Sequence, residues 1–155
     1  MNTGAAVREL VDRQAIADLI HAYCRHFDQN EPAEVAALFT ADAVVDYGPE
    51  AATIAGSASI AATIAVGLRE TFAATSHHVS NIQLEFDGPD SARGVAYLYA
   101  WHRYRDGSPD GELWGRYHHR FERTADGWRI AELVLRAAGT VDFHRATMHP
   151  IGRRQ

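Results

Sequence analysis

Apolar residues recur at three- and four-residue steps over Val7 to Asp28: Val7, Leu10 and Val11, then Ile16, Leu19, Ile20, Tyr23 and Phe27. That spacing predicts one long amphipathic helix. Asn30-Glu31-Pro32 stops it and starts a second from Pro32 to Phe39, because proline is favoured in a helix's first turn. Ala43 to Tyr47 is β-prone and ends at Gly48-Pro49, and a weaker extended piece covers Ala52 to Ala55. Ser57 then caps a third helix to about Phe72, through Ile60, Ile64 and Leu68.

After Thr75 the period changes from helical to extended. Ser76 to Phe86, Ala92 to Tyr104, Glu112 to Arg123 and Trp128 to Arg136 are rich in aromatic and β-branched residues. Turn sequences built on Asp-Gly separate them. Helices followed by an antiparallel meander predict an α+β fold with helices on one face of the sheet. Alternation assigns Ala96, Leu98, Ala100 and His102 to one face, against Tyr97, Tyr99, Trp101 and Arg103. In the next strand Leu113, Gly115, Tyr117, His119 and Phe121 oppose Trp114, Arg116, His118 and Arg120. In the last, Ala131, Leu133 and Leu135 oppose Ile130, Glu132 and Val134. Both faces carry apolar bulk, so the face away from the helices is expected to meet a second copy in a homodimer. The tail from Thr140 lacks periodicity and is expected to be mobile or to wrap that partner.

Length and composition narrow the class. The 155 residues suit a single domain, 1–155, with a core over about 7–138 and a C-terminal tail over 139–155. A hydrophobic share of 46% with 23% charged residues is globular composition. The 15 Lys and Arg against 20 Asp and Glu give a net charge of −5, against nucleic-acid binding; Arg153-Arg154 is the only basic cluster. No apolar run is long enough to span a membrane and no charged-then-apolar leader opens the sequence, so a cytoplasmic protein is expected. The lone Cys24 leaves no disulfide framework, and its mid-helix place predicts an inert thiol.

Candidate chemistry centres on histidine. Of nine His, His77-His78, His102 and His118-His119 fall on three consecutive predicted strands, where a cluster of proton-transfer groups competes with ordinary interface histidines. Asp28 ends the first helix beside its apolar stripe, at the negative end of the helix dipole. It needs a hydrogen-donating partner unless it is simply exposed, and Asp28→Asn is expected to leave stability unchanged or raise it. Tyr23 projects toward the same region, as a site residue or as a core aromatic. No nucleophile elbow, phosphate loop or dinucleotide fingerprint is present. The same histidines lack the short ligand spacing of a metal site, and none is predicted.

His26-Phe27-Asp28, the run Ala37-Leu38-Phe39-Thr40-Ala41-Asp42-Ala43-Val44 and Gly127-Trp128-Arg129-Ile130 together resemble the SnoaL-like branch of the nuclear transport factor 2-like superfamily, over about residues 7 to 138. The resemblance implies a cone, in which a curved antiparallel sheet wraps three helices around a deep apolar pocket. Within the superfamily the chain is similar to scytalone dehydratase and hexachlorocyclohexane dehydrochlorinase, lyases that pair an Asp at the end of the first helix with a strand His. Asp28 matches the Asp, and Thr75-Ser76-His77-His78-Val79-Ser80-Asn81 holds the His, assigned to His77. His102 matches the second His of scytalone dehydratase, and Tyr23 and Tyr47 its tyrosines. Leu133 stands near the basic residue of the dehydrochlorinase, which disfavours dehydrohalogenation.

The implied function is a cofactor-independent, dehydratase-type elimination on a small apolar cyclic substrate. His77 is the base, Asp28 orients it, and His102 and Tyr23 assist. Tyr47, Leu98, Ala100, Leu113, Tyr117, His119 and Leu133 are expected to line the pocket. The alternatives are an isomerase or cyclase using the same base, and a non-catalytic module like the small subunit of a ring-hydroxylating dioxygenase. A pocket filled by Trp or Phe favours the module.

Overall fold

The structure, a computed structural model, describes residues 3–153; the extreme ends of the chain, with Arg154 of the tail's basic pair, lie outside the described residues. Helix α1 (Thr3–Asp28) buries Ile16, Ile20, Tyr23, Cys24 and Phe27. Val7, Leu10 and Val11 belong to a different face and remain exposed. The five-residue step from Val11 to Ile16 turns the stripe by about 140°, at roughly 100° per residue. Asp12 fixes the rotation: it accepts hydrogen bonds from Trp128 Nε1 at 3.0 Å and Arg123 Nη2 at 2.6 Å, docking the polar side of the first turns onto the sheet.

Helix α2 (Pro32–Ala37) is shorter than expected, because Phe39 already starts β1 (Phe39–Asp46). Strand β2 (Ile54–Ala55) precedes α3 (Ser57–Glu70). Gly56, at φ 89°, takes the N-cap position in place of Ser57. The long strands are β3 (Phe72–Phe86), β4 (Ser91–Tyr104), β5 (Gly111–Thr124) and β6 (Gly127–Val141). Phe72, expected at the end of the third helix, instead opens β3 opposite Tyr104.

These strands form one six-stranded sheet in the order β2-β1-β6-β5-β4-β3. The meander is antiparallel as expected, but β1 pairs with β6 in parallel, so the sheet is mixed. With three helices packed against it, this is the expected cone-shaped α+β architecture. Register shifts in β3 and β6 supply its curvature, since a bulge bends its strand. Asn81, at φ 50°, sits in the β3 bulge. In β6 the extra residues are Ala131 and Ala138: Phe121 pairs with Ile130 and Arg120 with Glu132, while Gly115 pairs with Ala137 and Trp114 with Gly139. Ile130 therefore turns inward with Ala131, against strict alternation. Gly115 opens no space beside the histidines; a Cβ there would lie 2.5 Å from Arg136 O.

The tail folds back on its own sheet. Ala137 donates its N–H to His149 O at 2.9 Å and accepts from Ile151 N at 3.0 Å. Glu50 accepts from the backbone N–H groups of Ala146 and Thr147, and His149 Nε2 lies 2.9 Å from Asp46 Oδ2.

His119 is an anomaly of the core. It is buried and stacks on Phe121 at 5.1 Å, yet neither ring nitrogen has a hydrogen-bond partner. Burial, helped by the neighbouring His118, pushes its pKa down to about 3. An unfolded chain takes up the proton first, near pH 6.5. Stability from the neutral ring is therefore complete above about pH 6.5 and drains away as pH falls toward 3. Urea midpoints between pH 7 and pH 4 should fall, and His119→Leu should flatten part of that fall. Removing two unpaired polar atoms should also raise stability at pH 7, by about 1–2 kcal/mol. His102, whose pKa is likewise about 3, and His144, at about 4, keep the remainder of the slope.

Candidate active site

The last residue of α1 meets the first half of β3. Asp28 Oδ1 lies 2.6 Å from His77 Nδ1 and accepts from Thr75 Oγ1 at 2.8 Å, while Oδ2 accepts from the His77 backbone N–H at 2.8 Å. These donors compensate the carboxylate at the negative end of the helix. Burial alone would raise the Asp28 pKa, but the bonds and charge of His77 and the Thr75 hydroxyl hold it below the usual carboxylate value. The bond to Asp28 assigns the imidazole proton to Nδ1 and leaves Nε2 as an acceptor. Phe27 packs edge-on against the His77 ring at 4.9 Å, and only 5% of the His77 side chain is exposed.

His77 Nε2 points toward His102, whose Nε2 is 3.5 Å away. His102 on β4 is buried, with Phe72 at 4.7 Å between ring centres and its Nδ1 unpartnered. Burial, then the charges of His77 and His144, press its pKa down to about 3. The ring is therefore neutral at pH 7 and is not an imidazolium acid.

Both histidines open onto a cavity of about 290 Å³. Tyr23, Tyr47 and Tyr117 form one wall. Tyr23 and Tyr47 share a hydrogen bond of 2.7 Å between hydroxyls, in which either O–H can donate. Burial raises all three phenols, Tyr47 to about 12, so they remain protonated. Cys24 behaves as packing: burial pushes its thiol up to about 12.

Of the residues nominated from sequence, His77, His102, Tyr23, Tyr47 and Tyr117 line the cavity, and Asp28 braces His77 from behind. Leu98, Ala100, Leu113, His119 and Leu133 are buried in the core and do not reach it. Alternation identified their face correctly, and the registers set Ala100 and Leu113 in the same row as His77. Phe72, Leu135 and the tail residues Phe143, His144 and Arg145 line the cavity without having been nominated. The only sequence signal for the last three is a cluster of aromatic, imidazole and guanidinium groups in an otherwise aperiodic tail. Among the described residues, no group of three or more His, Cys, Asp or Glu is arranged to hold a metal ion. Among them, too, no helix is long and apolar enough to cross a membrane.

The model of the SnoaL-like domain family matches residues 8–134. No curated protein matches the chain. A provisionally named scytalone dehydratase from Novosphingobium aromaticivorans is 34% identical, with a TM-score of 0.89 and coverage of 97% of this chain and 99% of that one. A provisionally named aromatic ring hydroxylase from the same species is 27% identical, with a TM-score of 0.76 over 81% of this chain and 88% of its own. A hexachlorocyclohexane dehydrochlorinase from Novosphingobium barchaimii shares the fold at 19% identity, with a TM-score of 0.81 over 96% and 99% of the two chains.

Proposed function

The chain belongs to the SnoaL-like domain family, and on that premise we propose that it is a cofactor-independent lyase that removes water from a small, largely apolar cyclic substrate. The observation that carries this reading is the His77–Asp28 pair, 2.6 Å apart, at the wall of an open apolar cavity. His77 Nε2 takes a proton from a carbon adjacent to a carbonyl. The C–H electron pair moves onto the carbonyl oxygen, where a Tyr23–Tyr47 hydroxyl and the neutral His102 N–H stabilise it. That electron pair then returns to form the carbon–carbon double bond as the C–O bond on the next carbon breaks, and the leaving hydroxide departs as water, taking the proton back from His77. Asp28 stabilises the imidazolium in between and holds its orientation.

An isomerase using the same base is the second reading. It is favoured by His102, held neutral, so that no charged acid stands beside the base to assist a leaving group. The open cavity speaks against a purely structural module. The two catalytic readings separate on incubation of the purified protein with scytalone and related cyclic hydroxy ketones, with products followed by mass spectrometry. Loss of one water supports the lyase; a product of unchanged mass supports the isomerase; return of every substrate unaltered contradicts both. Hexachlorocyclohexane is expected to be left intact.

The reading includes a homodimer built on the outer face of the sheet. Tyr97 and Trp114 are 39% and 43% exposed there, beside Tyr99 and Trp101. An aromatic patch of this kind is costly to leave in water. Light scattering at micromolar concentration should give twice the chain mass, and Trp114→Glu should lower it toward the monomer. A monomeric wild type contradicts the dimer.

A further inference from the structure

Arg145 lines the same cavity as His77 and His102. Among the described residues its side chain makes one hydrogen bond, from Nη1 to the carbonyl oxygen of Tyr47 at 2.6 Å, with the guanidinium 5.9 Å from the Tyr47 ring centre. Among the described residues it forms no ion pair. The acids whose charges reach it are Glu50 and Asp46; neither comes within ion-pair distance, and each of their oxygens already meets another partner. Glu50 Oε1 and Oε2 accept from the N–H groups of Thr147 and Ala146. Asp46 Oδ1 accepts from Gly48 N, and Oδ2 faces His149 Nε2. His144, next to it, has its pKa pushed down to about 4 by burial and by Arg145 itself, so it supplies no second charge at pH 7.

An arginine stays charged at any working pH, and its planar fork of five N–H donors fits a carboxylate through two parallel bonds. Here most of that fork is unspent beside apolar and aromatic walls. Charge in such surroundings calls for a counter-charge. We infer that Arg145 is an anion site for the substrate: the ligand carries a carboxylate that pairs with its guanidinium. A cavity of about 290 Å³ limits the rest of the ligand to one or two small rings. That the paired carboxylate also aims an acidic C–H at His77 rests on the lyase reading; the anion site itself does not.

Calorimetry with two isosteric probes, benzoate and benzamide, tests the site. Wild-type protein should bind benzoate about tenfold or more tightly than benzamide, with a preference that shrinks as salt is added. Arg145→Gln should erase the preference and leave benzamide binding in place, Arg145→Lys should keep part of it, and His77→Gln should keep all of it. Circular dichroism checks that the variants fold; if Arg145→Gln does not, the wild-type comparison and Arg145→Lys decide. Benzoate binding no tighter than benzamide, or a preference that survives Arg145→Gln, overturns the inference. A carboxylate preference with turnover of neither hydroxy acids nor hydroxy ketones overturns the lyase reading and leaves the anion site standing. Turnover confined to neutral substrates does the reverse.

Discussion

His77→Ala is expected to lower turnover of a cyclic hydroxy ketone by about 10²- to 10⁴-fold, the usual contribution of a positioned proton-transfer group. The expectation follows from the imidazole's surroundings. Its Nδ1 is committed to Asp28, its Nε2 opens on the cavity, and Phe27 holds the ring edge-on. No other group there can replace it. His102, 3.5 Å away, is neutral but lacks a carboxylate to stabilise its protonated form, and the tyrosines are far too weakly acidic to rest as phenolates. His118→Ala is the control. His118 lies beside Val134 on the outer face of β5, away from the cavity, and its loss should leave turnover nearly unchanged. Initial rates of the two variants on one substrate decide the matter.

Asp28→Asn should cost a comparable share of activity and, in addition, stability. The sequence alone suggests the opposite for stability, since it shows only a carboxylate at the wrong end of a helix dipole. The folded chain surrounds that carboxylate with the Thr75 hydroxyl and the His77 backbone and ring N–H groups. An amide presents one NH₂ to donors that need an acceptor, so about 1–3 kcal/mol should be lost, toward the lower end because Asp28 is partly exposed. The sign with pH follows from the depressed Asp28 pKa. The ionised group's stabilisation is present above the unfolded carboxylate value, near 3.9, and is lost as pH falls below it. Urea unfolding at pH 7 should therefore separate the two proteins more than unfolding at pH 3. Equal midpoints at pH 7 would show that the three bonds contribute nothing.

Much of this site follows from periodicity. Alternation turned His102 and Tyr117 toward one face, and the end of the α1 stripe placed Asp28 beside them; the family resemblance chose His77 over His78. The errors have local causes. Val7, Leu10 and Val11 keep helical spacing among themselves but are out of phase with Ile16, a difference visible only when absolute angles are compared. Ala131 breaks the parity of β6 because a bulge has no distinct signature in a run of apolar residues. Alternation also says nothing about which inward positions face the opening, and Leu98, Leu113 and Leu133 share the correct face yet miss the cavity. The tail was the least legible part. Phe143, His144 and Arg145 are set in place by Glu50, Asp46 and Ala137, through bonds between distant parts of the chain, and no spacing within the tail records them.

Proton exchange tests the base without requiring the natural substrate. A cyclic ketone such as 2-tetralone, incubated with the protein in heavy water, loses its α-proton signals in the NMR spectrum as deuterium replaces hydrogen. If the His77–Asp28 pair is the base, wild-type protein accelerates this loss, His77→Gln and Asp28→Asn abolish the acceleration, and His118→Ala retains it. Exchange that is as fast in His77→Gln as in the wild type would contradict the assignment.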